Sequence, residues 1–172
     1  MDEETQERLL QLQAEESRCE REISGKQTAL YQAQNIFAKL DTEINEATNK
    51  QTEYTNLKNS LNTLSNDLDT LSSSLSDLIT NLHSLGAGDR MDGILDQVGK
   101  KSLTVATKMD KITSIIESID EKLKYYQGQL DYLTPQRDGI KKTIEENEEF
   151  IANKREELAS IQAQIGAITG SC

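Results

Sequence analysis

Apolar residues recur through this chain at alternating intervals of four and three, a spacing that admits one kind of backbone. In the second half the series runs Met91, Leu95, Val98, Ser102, Val105, Met109, Ile112, Ile116, Ile119, Leu123, Tyr126, Leu130, Leu133, Arg137, Ile140, Ile144, Asn147, Ile151, Lys154, Leu158, Ile161, Ile165 and Ile168. A strand alternates with period two and cannot produce it. A sustained mean repeat of 3.5 residues marks a helix that winds around a partner in a left-handed supercoil.

The first half carries the same repeat: Leu9, Leu12, Glu16, Cys19, Ile23, Lys26, Leu30, Ala33, Phe37, Leu40, Ile44, Ala47, Gln51 and Tyr54. Beyond that the apolar residues continue as Leu57, Leu61, Leu64, Leu68, Leu71, Leu75, Leu78, Leu82 and Leu85. Between Tyr54 and Leu57 two intervals of three follow one another. This predicts a stammer, with local overwinding near residues 47–57.

Between the two repeats lies Ser84-Leu85-Gly86-Ala87-Gly88-Asp89-Arg90-Met91-Asp92-Gly93. Gly86 or Gly88 can take the left-handed conformation that closes a helix. Asp89 or Asp92 can cap the next one by accepting from its free N–H groups. Two arms of near-equal length about one turn predict an all-α fold, a long antiparallel coiled-coil hairpin. The expected limits are a single domain over 1–172, with arm 1 about 3–85, the turn 86–92 and arm 2 about 93–168. Each straight arm would reach on the order of 120 Å. Pro135, flanked by Gly128 and Gly139, predicts a kink or a break in arm 2, because proline lacks a donor and crowds the preceding turn. A break would fold the chain back into four helices. Residues 55–85 place Ser, Asn and Thr outward, poor helix formers that leave packing to supply stability.

Composition limits what such a scaffold does. Only 35% of residues are hydrophobic and 4% aromatic, with no Trp, enough for a narrow seam and too little for a thick core. A net charge of −11 argues against nucleic acid and against anionic membrane surfaces. No apolar run approaches the roughly 20 residues of a membrane span. The acidic start Met1-Asp2-Glu3-Glu4 lacks the pattern of a secretory signal, so the expectation is a chain made in the cytoplasm and, if exported, exported without a cleaved leader.

Candidate chemistry is sparse. His83 is the one histidine and has no companions for a metal site. Gly99-Lys100-Lys101-Ser102 ends like a phosphate-binding loop, but the partner glycine should stand at 94, where the chain has Ile94, and no strand precedes it. The acidic pairs Glu15-Glu16, Glu145-Glu146, Glu148-Glu149 and Glu156-Glu157 read as solvated helix faces. Cys19 falls on the seam as a small hydrophobe, and Cys172 is too distant in a hairpin to pair with it. No catalytic residue, metal or cofactor is expected.

The informative residues are apolar doublets. Leu9-Leu10, Ile36-Phe37, Leu78-Ile79, Ile115-Ile116, Tyr125-Tyr126 and Phe150-Ile151 each put one side chain on the seam and one beside it. A two-helix rod leaves such a second row uncovered. Candidate partner-binding residues are therefore Leu10, Ile36, Phe37, Leu78, Ile79, Ile115, Ile116, Tyr125, Tyr126, Phe150 and Ile151. Polar seam residues Glu16, Lys26, Gln51, Ser102, Arg137, Asn147 and Lys154 either set register or snorkel to water.

An acidic chain built as long helix, glycine-bearing turn and long helix resembles the helical-hairpin proteins of type VII secretion. It is most similar to the longer hairpins that accompany LXG-domain toxins. The turn reads Leu85-Gly86-Ala87-Gly88 without a Trp-x-Gly, and Gln129, Leu130 and Gln136, not an acid, stand four residues after Tyr125, Tyr126 and Tyr132. The resemblance implies a partner that packs against a toxin's N-terminal helices and keeps them export-competent. From the residues themselves, the expected function is a non-catalytic interaction protein that packs against a helical partner or forms a homo-oligomer. The alternative is a structural rod or tether that self-associates.

Overall fold

The computed structural model describes residues 3–85 and 89–170. It contains two α-helices, α1 (Glu3–Ser84) and α2 (Asp89–Gly170), each of 82 residues, packed against each other. No strand occurs among the described residues. Glu3 and Glu4 lie in the first turn of α1, where negative charge meets the helix dipole favourably. At the other end Leu85 donates its backbone N–H to the Leu82 carbonyl at 3.3 Å. The glycines Gly86 and Gly88 predicted for the turn, and Cys172, lie outside the described residues. α2 starts at Asp89, earlier than the expected 93, so Asp92 stands inside the helix, exposed, and is not its cap.

The chain divides into two compact units. Unit 1 combines residues 1–44 with 131–172. Its tightest packing joins Leu12 and Cys19 of α1 to Ile161 of α2, with Leu158, Ile165 and Ile168 against them. Ile23, Ala33, Ile44, Asn147 and Ile151 continue the buried row. Cross-helix pairs set an antiparallel register: Arg8 with Gln164, Glu16 with Gln162, Lys26 with Asn147 and Asp41 with Arg137.

Pro135 sits within α2 and does not end it. The break and the folded-back four-helix arrangement are therefore excluded. One lost donor costs a helix roughly 3 kcal/mol, and here the apolar seam continues on both sides, with Leu133, Arg137 and Ile140 all at least half-buried. The heptad phase outlasts the local penalty.

Unit 2 comprises residues 45–130. Gln51 pairs with Gln127, Lys58 with Asp120, and the rings of Tyr54 and Tyr126 stack at 5.8 Å. Ala47, Val105, Ile112 and Ile119 are buried. Here the structure corrects the predicted stammer. The row turned toward α2 runs Gln51, Tyr54, Lys58, Leu61, Ser65, Leu68, Ser72, Leu75, Ile79 and Leu82, each half-buried, with the four-three alternation unbroken. Leu57, Leu64, Leu71 and Leu78 lie beside it, 43–47% exposed. Within the Leu78-Ile79 doublet, Ile79 is the seam residue and Leu78 its neighbour. The helix keeps its winding and accepts Lys58, Ser65 and Ser72 on the seam, because a shift of phase would have to be propagated through every later layer.

The Ser- and Thr-rich stretch stays helical by turning its hydroxyls inward along its own backbone. Thr55, Ser60, Thr63, Thr70, Ser74 and Thr80 each donate to the carbonyl four residues back, at 2.8–3.1 Å. The competing hydrogen bond that makes these residues poor helix formers is thereby spent inside the helix.

Ile119 is 3% exposed. Replacing Ile116 and Ile119 together with Asp buries unpaired charge and is expected to cost more than about 4 kcal/mol; helicity and melting temperature that stay unchanged by circular dichroism would refute the seam. Gly128 and Gly139 have open space where a Cβ would sit. Gly128→Ala and Gly139→Ala should each raise stability by about 0.5–1 kcal/mol in urea titration.

Candidate interaction surface

Each seam position is half of a heptad, so its neighbours can be placed by side. With Gln51, Lys58, Ser65, Ser72 and Ile79 as position a of α1, the residue before each is g and the fourth residue after is e. The same labels apply in α2, with a at Leu95, Ser102, Met109, Ile116 and Leu123. Thr55 and Gln127, both at e, line one groove together with Gln51 and Leu123. The e rows of the two helices therefore share one flank of unit 2. Because e and g stand on opposite sides of the seam, the g rows share the other.

The two flanks differ in chemistry. The e flank carries Thr55, Asn62, Asp69 and Ser76 from α1 and Gly99, Ala106, Thr113, Asp120 and Gln127 from α2. The g flank carries Leu57, Leu64, Leu71 and Leu78 from α1, one every second turn over about 32 Å. Opposite them α2 presents Ile94, Lys101, Lys108, Ile115 and Lys122. Ile94 is 48% and Ile115 47% exposed, close to the leucines. Covering what remains exposed of such a residue gains about 1 kcal/mol. Six of them give on the order of 6 kcal/mol before any cost. Association itself costs several kcal/mol or more, so an occupant must also use the lysine stems and charges along the rim.

The predicted partner-binding residues separate on inspection. Leu10, Ile36, Leu78, Ile115 and Tyr125 are exposed. Phe37, Ile79, Ile116 and Tyr126 are half-buried and Ile151 is buried, all in the seam. Phe150 stands beside the seam yet is half-covered, with the Lys26 ammonium 5.2 Å from its ring centroid. Only Leu78 and Ile115 belong to the g flank of unit 2. Sequence reading missed Leu57, Leu64 and Leu71 as surface residues because they repeat every seven residues as a seam does. The clue was the two consecutive intervals of three at Tyr54.

Polar seam residues pair across the helices. Lys26 donates to Asn147 Oδ1 at 3.1 Å, and Asn147 is 5% exposed. Gln51 Nε2 donates to Gln127 Oε1 at 2.8 Å. Lys154 meets Glu157 at 2.7 Å and Glu22 at 3.1 Å. Glu157 and Glu22 hold the Lys154 ammonium above its ordinary range, and Lys154 in turn holds the Glu157 carboxyl below its own. The carboxyl favours the folded state until pH falls through its lowered pKa, and the ammonium until pH rises through its raised one. Glu157 also accepts from the Cys19 thiol at 3.5 Å. Burial, seconded by that hydrogen bond, pushes the thiol's pKa up.

Among the described residues no group of three or more His, Cys, Asp or Glu could hold a metal ion, and no helix is long and apolar enough to cross a membrane. The grooves along the helices open to solvent. His83 is exposed, as are Lys100 and Lys101, with Lys100 paired to Asp96 at 2.6 Å. Searches of protein-family models, curated proteins and solved structures find no match to the chain.

Cys19 is fully covered, at 0% exposure. In a Cys172→Ser variant, the remaining thiol should react with a disulfide reagent at neutral pH at least about 100-fold slower than in denaturant; reaction at the denatured rate would place Cys19 outside the seam. Since its pKa is raised, the contribution of the neutral thiol to stability is complete below the usual thiol range and declines only as pH rises beyond about 8.5.

Proposed function

We propose that this chain is a non-catalytic helical interaction protein whose docking surface is the g flank of unit 2. One observation carries this reading: Leu57, Leu64, Leu71 and Leu78 form a continuous half-exposed row beside a seam that uses Ser65 and Ser72. A sequence that places serine between its own helices and leucine next to them is matched to a bundle of more than two helices. Rows of this spacing fit another helix laid lengthwise, its apolar stripe against the leucines.

In finer form, the reading makes the chain an accessory partner of a type VII secreted toxin, packed against that toxin's N-terminal helices. The plan of two long helices and an acidic composition support it. The alternative, a self-associating rod or tether, predicts polymers of increasing length in place of one defined complex.

Co-expression of the full chain with helical proteins encoded beside it, followed by size exclusion with light scattering, tests the reading. A single heterocomplex is expected, with Leu64→Asp plus Leu71→Asp weakening it at least about 100-fold, since two charges would be buried unpaired. Loss of no complex on this substitution would move the docking surface elsewhere.

A further inference from the structure

We infer that the g flank of unit 2 takes an acidic amphipathic helix of another protein, its apolar stripe on the leucines and its carboxylates against the lysines of α2. This rests on reading that flank as a helix-docking surface, and adds the chemistry of the occupant.

The sign of the flank is opposite to that of the chain. Over residues 50–82 and 94–125, positions g and c hold Lys50, Lys101, Lys108, Lys111 and Lys122 against Glu53 and Asp67. Lys50 and Glu53 satisfy each other at 2.7 Å. That leaves four exposed lysines and one acid, on a chain whose net charge is −11. Among the described residues none of the four lysines forms an ion pair. Positions e and b over the same residues have the reverse balance, Asp69, Asp96, Asp110, Glu117 and Asp120 against Lys124. Positive charge is thus concentrated on the flank that bears the leucines.

Register explains why these lysines lack partners. In a two-helix seam the flanking rows ordinarily pair opposite charges. The Gln51–Gln127 and Lys58–Asp120 pairs fix which residues are level. Counting along the unbroken repeat sets Leu57 level with Lys122, Leu64 with Ile115, Leu71 with Lys108 and Leu78 with Lys101, each within one residue. Where an acid would complete the pair, α1 supplies leucine. Any carboxylate that pairs with Lys101, Lys108 or Lys122 therefore comes from outside the hairpin, on something that also covers a leucine about every 10.5 Å. A helix laid lengthwise does both. A side chain at every seventh residue meets each leucine, and acids on the adjoining row meet the lysines. At the level of Ile115 the fitting residue is apolar.

Other occupants fit this flank less well. A second copy docked about a two-fold axis sets basic flank on basic flank. Docked by its e flank it offers Thr55, Asn62 and Thr113 to the leucines. An anionic lipid surface attracts the lysines but repels Asp67 on the same face and the rest of an acidic chain.

Two synthetic peptides test the inference, each of about four heptads to match the leucine row, with leucine at a and d. One carries Glu at every e and g, the other Lys. Binding to the full chain is read by fluorescence anisotropy. The acidic peptide is expected to bind at least about tenfold more tightly than the basic one, with the preference shrinking as salt rises. Lys101→Glu, Lys108→Glu and Lys122→Glu together should invert the preference, and Leu64→Asp plus Leu71→Asp should remove binding of both peptides. The lysines are exposed, so the charge variant keeps its helicity and remains decisive if the leucine variant unfolds. Equal affinity for the two peptides, tighter binding of the basic one, or a preference that survives the lysine substitutions overturns the inference. If that binding is still lost in the leucine variant, the docking surface stands and charge does not choose its occupant. Binding of neither peptide also overturns the inference, and the co-expressed heterocomplex then decides the docking surface by itself. A dimer of the chain alone, or its flotation with phosphatidylserine vesicles, lost in the leucine variant, overturns it by putting a second copy or a lipid surface in the helix's place.

Discussion

Everything in this molecule depends on phase: the angular position at which each helix meets the other, repeated every seven residues. Each layer of contact is thin, often one aliphatic side chain from each helix, and stability accumulates layer by layer. A phase error in one layer would misplace all those after it. This explains why α2 passes through Pro135 with its seam intact, and why α1 accepts Lys58, Ser65 and Ser72 between the helices when leucine stood one residue away.

The same constraint separates what could be read in the amino-acid order from what could not. The seam of α2 was fully legible, from Leu95 to Ile168, because every competing position is polar or breaks the spacing. So was α1 as far as Tyr54. Beyond it two rows compete, one with leucine at every seventh residue and one with serine or lysine, and a reading by hydrophobicity selects the wrong one. Side-chain preference at four positions cannot outweigh the cost of overwinding a helix. The start of α2 was placed late for a related reason: Asp92 looks like a cap, but helix formation begins at Asp89. The exposed apolar flank of unit 2 was legible only in part, at Leu78 and Ile115. It became visible as a row once the seam had been located.

Polar residues on the seam are reconciled with burial by meeting one another. Asn147 receives Lys26, Gln51 finds Gln127, and Lys154 is held by Glu22 and Glu157. No buried side-chain nitrogen or oxygen among the described residues lacks a partner. Such pairs add little net energy, yet each is satisfied in only one alignment of the helices, and a slip by one heptad would leave several polar groups stranded. Register is thus specified by penalties for the wrong alignment more than by rewards for the right one.

The burial pattern along α1 is uneven, and it bears on how the chain would respond to the proposed binding partner. Leu12, Cys19, Ile23, Ala33, Ile44 and Ala47 are buried, and none of the described residues of α1 beyond Ala47 is. Local opening follows the density of covered apolar groups, so unit 2 separates its helices at lower cost than unit 1. The flank rich in leucine belongs to the looser unit. An occupant that clamps both of its helices would suppress that opening, and part of its binding energy would be spent on annealing the host. Recognition and consolidation of the scaffold would then be a single event, with tighter amide protection of residues 55–85 as its signature.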